Sequence, residues 1–118
     1  MKLLGLRTII YPTTDLARDK EWWAKVLGIA PYFDETFYVG FNVGGYELGL
    51  DPNADFDDGP RTYFGVEDVD EAVRVFVENN CSIYEKPSEV GGGIVVATVQ
   101  RPSGQLIGLI YNPSFKAN

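Results

Sequence analysis

The chain has 118 residues, 45% of them hydrophobic, enough for one packed core and too few for two independent domains. Its formal net charge of −7 sets it against nucleic acid and anionic membrane surfaces, so neither is expected as a partner. Cys81 is the single cysteine, which excludes an internal disulfide and a paired-cysteine metal or redox centre.

Leu3 to Tyr11 is rich in β-branched and aromatic residues and is stopped by Pro12, which suits a strand. Asp15 then caps an amphipathic helix whose apolar face carries Leu16, Trp23 and Leu27 with Trp22 and Val26 beside them. Gly28 is a natural left-handed stop. From Ile29 to Asp51 the pattern turns alternating and aromatic, with Gly44-Gly45 as a tight hairpin signal between two strands. Asp34-Glu35-Thr36 marks a turn before them. The proline-bracketed stretch 52–60 reads as a linker, and its aspartates as a solvated acidic loop without the ligand spacing of a Ca²⁺ site.

The second half repeats this order. Arg61 to Val66 is a strand, and Asp68 with Glu71 opens a helix whose Val69, Ala72, Val73, Phe76 and Val77 share one face. Short strands follow at Ser82–Lys86, Ile94–Gln100 and Gln105–Tyr111, separated by Gly91-Gly92-Gly93 and by the turn Arg101-Pro102-Ser103-Gly104. The expected architecture is α+β, one domain over 1–118 with a first βαβββ module (1–51), a linker (52–60) and a second module (61–118). Its apolar runs fall well short of the roughly 20 residues that cross a bilayer, and no signal pattern opens the chain, so a soluble cytoplasmic protein is expected.

Three pieces in this order carry a resemblance: Asp15-Leu16 opening a helix with Trp22-Trp23 and closing at Val26-Leu27-Gly28; Val66-Glu67-Asp68-Val69; and Arg101-Pro102-Ser103-Gly104-Gln105 before the last strand. Together they resemble the vicinal oxygen chelate superfamily, which includes glyoxalase I, extradiol dioxygenases and bleomycin-resistance proteins. The resemblance covers nearly the whole chain and implies two modules forming a curved mixed sheet around a ligand cleft. It also implies a divalent ion held by His, Glu or Gln from the first and fourth strand of each module. Matched by their distance from the helix-opening aspartates and by strand order, those positions hold Thr8, Gly49, Arg61 and Gly108 here. None is a usual ligand, the chain has no histidine, and Arg61 would place a permanent positive charge where the cation belongs. A member without the metal centre is therefore expected, with no metal and no cofactor.

Strand alternation puts Arg61 and Tyr63 on one face, Glu47, Gly49 and Asp51 on another, and Gly108 on a third. If the superfamily geometry applies, these faces line the cleft, together with Thr8 and with Phe41 from the aromatic-heavy first module. Arg61 is expected either to recognise an anion or to pair with Glu47 or Asp51, since a buried guanidinium without a partner is strongly unfavourable. The preferred function is a binding protein for a small aromatic or cationic molecule, similar to the bleomycin-resistance branch; the alternative is a lyase, isomerase or dioxygenase-like enzyme acting on a small organic substrate, with Glu47 or Asp51 as base in a metal-free form, and a third reading is a vestigial cleft in a fold that serves only protein association. The resemblance also implies a homodimer.

Overall fold

The computed structural model describes residues 1–115. Eight strands and two α-helices follow in the order β1 (Leu6–Pro12), α1 (Leu16–Leu27), β2 (Phe33–Glu35), β3 (Tyr38–Val43), β4 (Tyr46–Asp51), β5 (Arg61–Gly65), α2 (Val69–Glu78), β6 (Ser82–Gly91), β7 (Ile94–Gln100) and β8 (Leu106–Tyr111). A short 3₁₀ turn, Phe56–Asp58, lies within the linker stretch. The fold is α+β with parallel and antiparallel strand pairings, as the sequence pattern predicts. No described helix is long and apolar enough to cross a membrane.

The chain divides into two compact units, one of residues 8–61 and one that joins residues 1–7 to residues 62–115. Each contains the same topology. In the first, β4 runs parallel to β1 and antiparallel to β3, which in turn pairs antiparallel with β2. In the second, β8 runs parallel to β5 and antiparallel to β7, which pairs antiparallel with β6. The repeat read from the two capped helices is thus a repeat of topology.

The caps explain where the helices begin. Asp15 accepts the Arg18 amide at 3.1 Å and Asp68 accepts the Glu71 amide at 3.1 Å, satisfying donors that a first turn leaves unpaired. Gly28, at φ 71°, ends α1 by donating to the Ala24 carbonyl at 2.9 Å. Gly44 and Gly45 take φ values of 60° and 98°, the conformation a two-residue hairpin demands, so β3 and β4 pair in register Asn42 to Glu47 and Gly40 to Gly49.

In residues 8–61 the core joins Val39, Phe41, Leu48 and Leu50 to Ile9, Tyr11, Leu16, Trp23, Ala24 and Leu27. Tyr11 and Trp23 stack with ring centroids 5.7 Å apart. Trp22 and Val26, read from the sequence as part of this apolar face, are each 56% exposed. They sit at its flank, and Trp22 only abuts the edge of Trp23. In the other unit Val66, Val69, Ala72, Val73, Ala97, Val99 and Leu109 form the core under α2, with Phe76 and Cys81 packed against it. Strand β6 is longer than the predicted Ser82–Lys86, because register shifts after Ile83, Glu85 and Glu89 carry its pairing past Pro87 to Gly91.

Candidate functional site

Alternation fixes which side chains lie opposite α1. In residues 8–61 the core takes Val39, Phe41, Leu48, Leu50, Ile9 and Tyr11, so the other face carries Tyr38 and Gly40 from β3, Glu47, Gly49 and Asp51 from β4, and Thr8 from β1. Phe41, expected to line the ligand site, is fully buried in the α1 core; the structure corrects that assignment, because its strand position has the opposite parity to Tyr38 and Gly40.

On this face two glycines let two long side chains cross. A Cβ on Gly49 would lie 1.8 Å from the Tyr38 hydroxyl oxygen, and one on Gly40 would lie 2.8 Å from Glu47 Oε2. Tyr38 therefore lies over Gly49 while Glu47 lies over Gly40, and the two meet: Tyr38 donates to Glu47 Oε1 at 2.7 Å. Tyr32 donates to the other oxygen, Glu47 Oε2. Burial pushes the Tyr38 hydroxyl well above the ordinary tyrosine range, reinforced by the Glu47 charge and then by the hydrogen bond. Tyr32 is raised by burial of its hydroxyl, then by its bond to Glu47 and by that charge, although its residue is 62% exposed. Both phenols stay protonated at neutral pH and act as donors. Phe33 extends the group, 6.2 Å from Tyr38 and 6.0 Å from Phe37 between ring centroids.

The remaining expected residues occupy different places. Arg61 makes an ion pair with Asp58 at 3.4 Å, both side chains largely buried. Around the residues expected to pair with it, Glu47 accepts from the two tyrosines and Asp51 accepts the Asn53 amide at 2.8 Å. The 3₁₀ turn places Asp58 three residues before Arg61, a proximity that the linker reading missed. Thr8 is buried and is the register partner of Glu47. In the other unit Tyr63 is buried with its ring over Gly108, where a Cβ would come within 2.5 Å of that ring and 2.8 Å of the Thr62 carbonyl.

The metal positions that the family resemblance implies do not fit a divalent ion. The space where a ligand side chain would leave Gly49 holds the Tyr38 hydroxyl, that at Gly108 holds the Tyr63 ring, Thr8 offers a single hydroxyl, and Arg61 is itself a cation, ion-paired with Asp58. No group of three or more His, Cys, Asp or Glu among the described residues is placed to hold a metal.

Sequence reasoning placed Tyr32 and Tyr38 only within the aromatic set of the first module, most of it expected as core with the rest lining the pocket, and gave neither a role of its own. The only signal for Tyr38 was its alternation with Gly40, matched across the hairpin by Glu47 with Gly49, which leaves each long side chain a diagonal glycine to cover.

No curated protein matches the sequence. Among solved structures, a variant of Streptomyces coelicolor methylmalonyl-CoA epimerase in complex with 2-nitronate-propionyl-CoA superposes with a TM-score of 0.78 at 16% identity, covering 96% of this chain and 100% of that one. A hypothetical protein from Bacillus halodurans gives 0.76 at 15% identity, covering 96% and 97%. A glyoxalase/bleomycin resistance protein/dioxygenase superfamily member from Vibrio splendidus gives 0.70 at 18% identity, covering 90% and 97%. These likenesses establish the fold, and the sequence itself matches a family model over residues 5–109. With its repeated βαβββ topology and that match, the chain belongs to the Glyoxalase/Bleomycin resistance protein/Dioxygenase superfamily.

Proposed function

We propose that this chain is a metal-independent member of its superfamily that binds a small aromatic or cationic molecule against Glu47, Tyr32 and Tyr38. The observation that carries the reading is the Glu47 carboxylate, fixed through both oxygens by phenol donors on the face opposite α1. A carboxylate so held keeps its negative charge in a fixed place, and the neighbouring rings supply cation–π attraction of roughly 0.5 to 2 kcal/mol per contact. The net charge of −7 draws cations toward the molecule as a whole. The charge at the centre of the group favours a cationic head carried on an aromatic body.

Catalysis by Glu47 has less support. As a general base it would have to release a tyrosine hydrogen bond before taking a proton, and Asp51 is engaged with a backbone amide. The epimerase among the structural neighbours shares the fold at 16% identity, which carries no reaction over to this chain.

A thermal-shift series with benzyltrimethylammonium and with benzyl alcohol tests the reading, since a ligand of the folded state raises its stability by mass action. The expected result is a concentration-dependent rise with the ammonium compound, larger than with the alcohol and unchanged by EDTA. A response that requires zinc, nickel or manganese would overturn it.

A further inference from the structure

We infer that Arg7 forms a second binding site, for a small organic carboxylate, within the unit that joins residues 1–7 to residues 62–115. The site is built by the backbone. Leu4 donates to the Gly65 carbonyl at 2.8 Å and Gly65 donates to the Gly5 carbonyl at 2.8 Å, clamping the first residues of the chain against the end of β5. Arg7 follows this clamp and its side chain lies back over Gly65. A Cβ there would be 2.6 Å from Nε and 2.9 Å from Cζ, so only glycine leaves the guanidinium its place. On its other side Cζ lies 3.8 Å from the centroid of the Phe115 ring.

The guanidinium is thus held against a glycine and an aromatic face, and among the described residues no acid pairs with it. Arg18 lies within 4.0 Å of Asp15 and Asp19, and Arg61 within 3.4 Å of Asp58, as expected in a chain with 17 acidic and 10 basic residues. Arg7, half-buried, makes no ion pair or hydrogen bond among the described residues. Among the described residues no buried side-chain nitrogen or oxygen is left unsatisfied. A preorganised planar fork whose donors meet no acceptor among the described residues matches a carboxylate, and packing has already restricted the rotamers that binding would otherwise have to freeze.

The surroundings set the class of ligand. Gly65 shares its face with Tyr63, and its register partner on β8 is Ile110, so an anion at Arg7 has apolar neighbours for an apolar body. One cation balances one negative charge, which selects a monocarboxylate on an aromatic or branched aliphatic body over a phosphate dianion. This site does not depend on the reading of Glu47, whose residues belong to the other unit.

The test is a ¹⁵N NMR titration of the full chain with sodium benzoate, with benzamide as the neutral counterpart and inorganic phosphate as the competing anion. Benzoate is expected to shift the Arg7 Nε–Hε and Gly65 amide signals saturably, with benzamide and phosphate weaker. Arg7→Gln should abolish the benzoate response while the spectrum stays dispersed. Should that variant fold poorly, Arg7→Lys keeps the charge without the fork and should weaken benzoate binding by about tenfold or more. Equal responses to benzoate and benzamide, tighter binding of phosphate, no saturable shift, or undiminished benzoate binding by Arg7→Gln or Arg7→Lys would overturn the site.

Discussion

Tyr38 shows how one side chain can tie stability to pH. Its hydroxyl is raised well above the ordinary tyrosine value by burial and by Glu47, whereas the unfolded chain titrates it near the ordinary value of about 10. Below that pH the native state gains the full benefit; above it the unfolded state releases the proton first, and stability falls as pH rises toward the folded value. Denaturant unfolding between pH 8 and pH 11 should therefore show a steeper alkaline loss for the natural chain than for Tyr38→Phe. At neutral pH the same substitution should cost about 1 to 3 kcal/mol, because it removes a hydrogen bond to a charged group. Equal alkaline slopes would mean that Tyr38 is not held against Glu47. This pairing was hidden in the sequence because it is diagonal: Glu47 and Tyr38 are not register partners, and only the paths over Gly40 and Gly49 bring them together.

At the scale of elements, the helices were legible because their starts are local. Asp15 and Asp68 cap within three residues of themselves, and Gly28 stops α1 with a conformation that glycine adopts without strain. The division of labour between Trp22 and Trp23 was not legible, since neighbouring helical positions differ by 100° and only packing on Tyr11 decides which one turns toward the core. The ion pair of Arg61 with Asp58 was missed for a similar reason, as it depends on a single turn of 3₁₀ helix in a stretch read as a loop. The glycines in mid-strand now have distinct packing roles that can be ranked. An alanine at Gly108 would meet the root of the Tyr63 ring and the Thr62 backbone, neither of which can shift without moving β5, whereas at Gly65 it would meet only Arg7 side-chain atoms, which can be displaced from their packed position without moving the backbone. Urea unfolding should show Gly108→Ala losing roughly 1 to 3 kcal/mol and Gly65→Ala less, as overpacking against rigid neighbours predicts. The reverse order would show that the Arg7 placement is the more rigid of the two.

For the whole molecule, the repeat and the family were readable because order and spacing survive even where individual residues diverge; the three structural neighbours named above share the fold at 15 to 18% identity. Association is a separate matter, and we propose that the chain forms a homodimer. In its unit β6 pairs with β7 alone, and its Ile83 and Val90 are more than half exposed, features that natural sheets usually cover. Light scattering at micromolar concentration should return about twice the mass of one chain, and a mass near 13.1 kDa would contradict it. The central claim, that a tyrosine-held carboxylate makes this a cation-binding member without a metal, meets its most direct test in calorimetric titration of benzyltrimethylammonium into the natural chain and into Glu47→Gln, both in EDTA. The account predicts saturable binding to the natural chain and a loss of about tenfold or more in affinity for the variant, the weight of one charge contact. Equal affinities for the two proteins would contradict it.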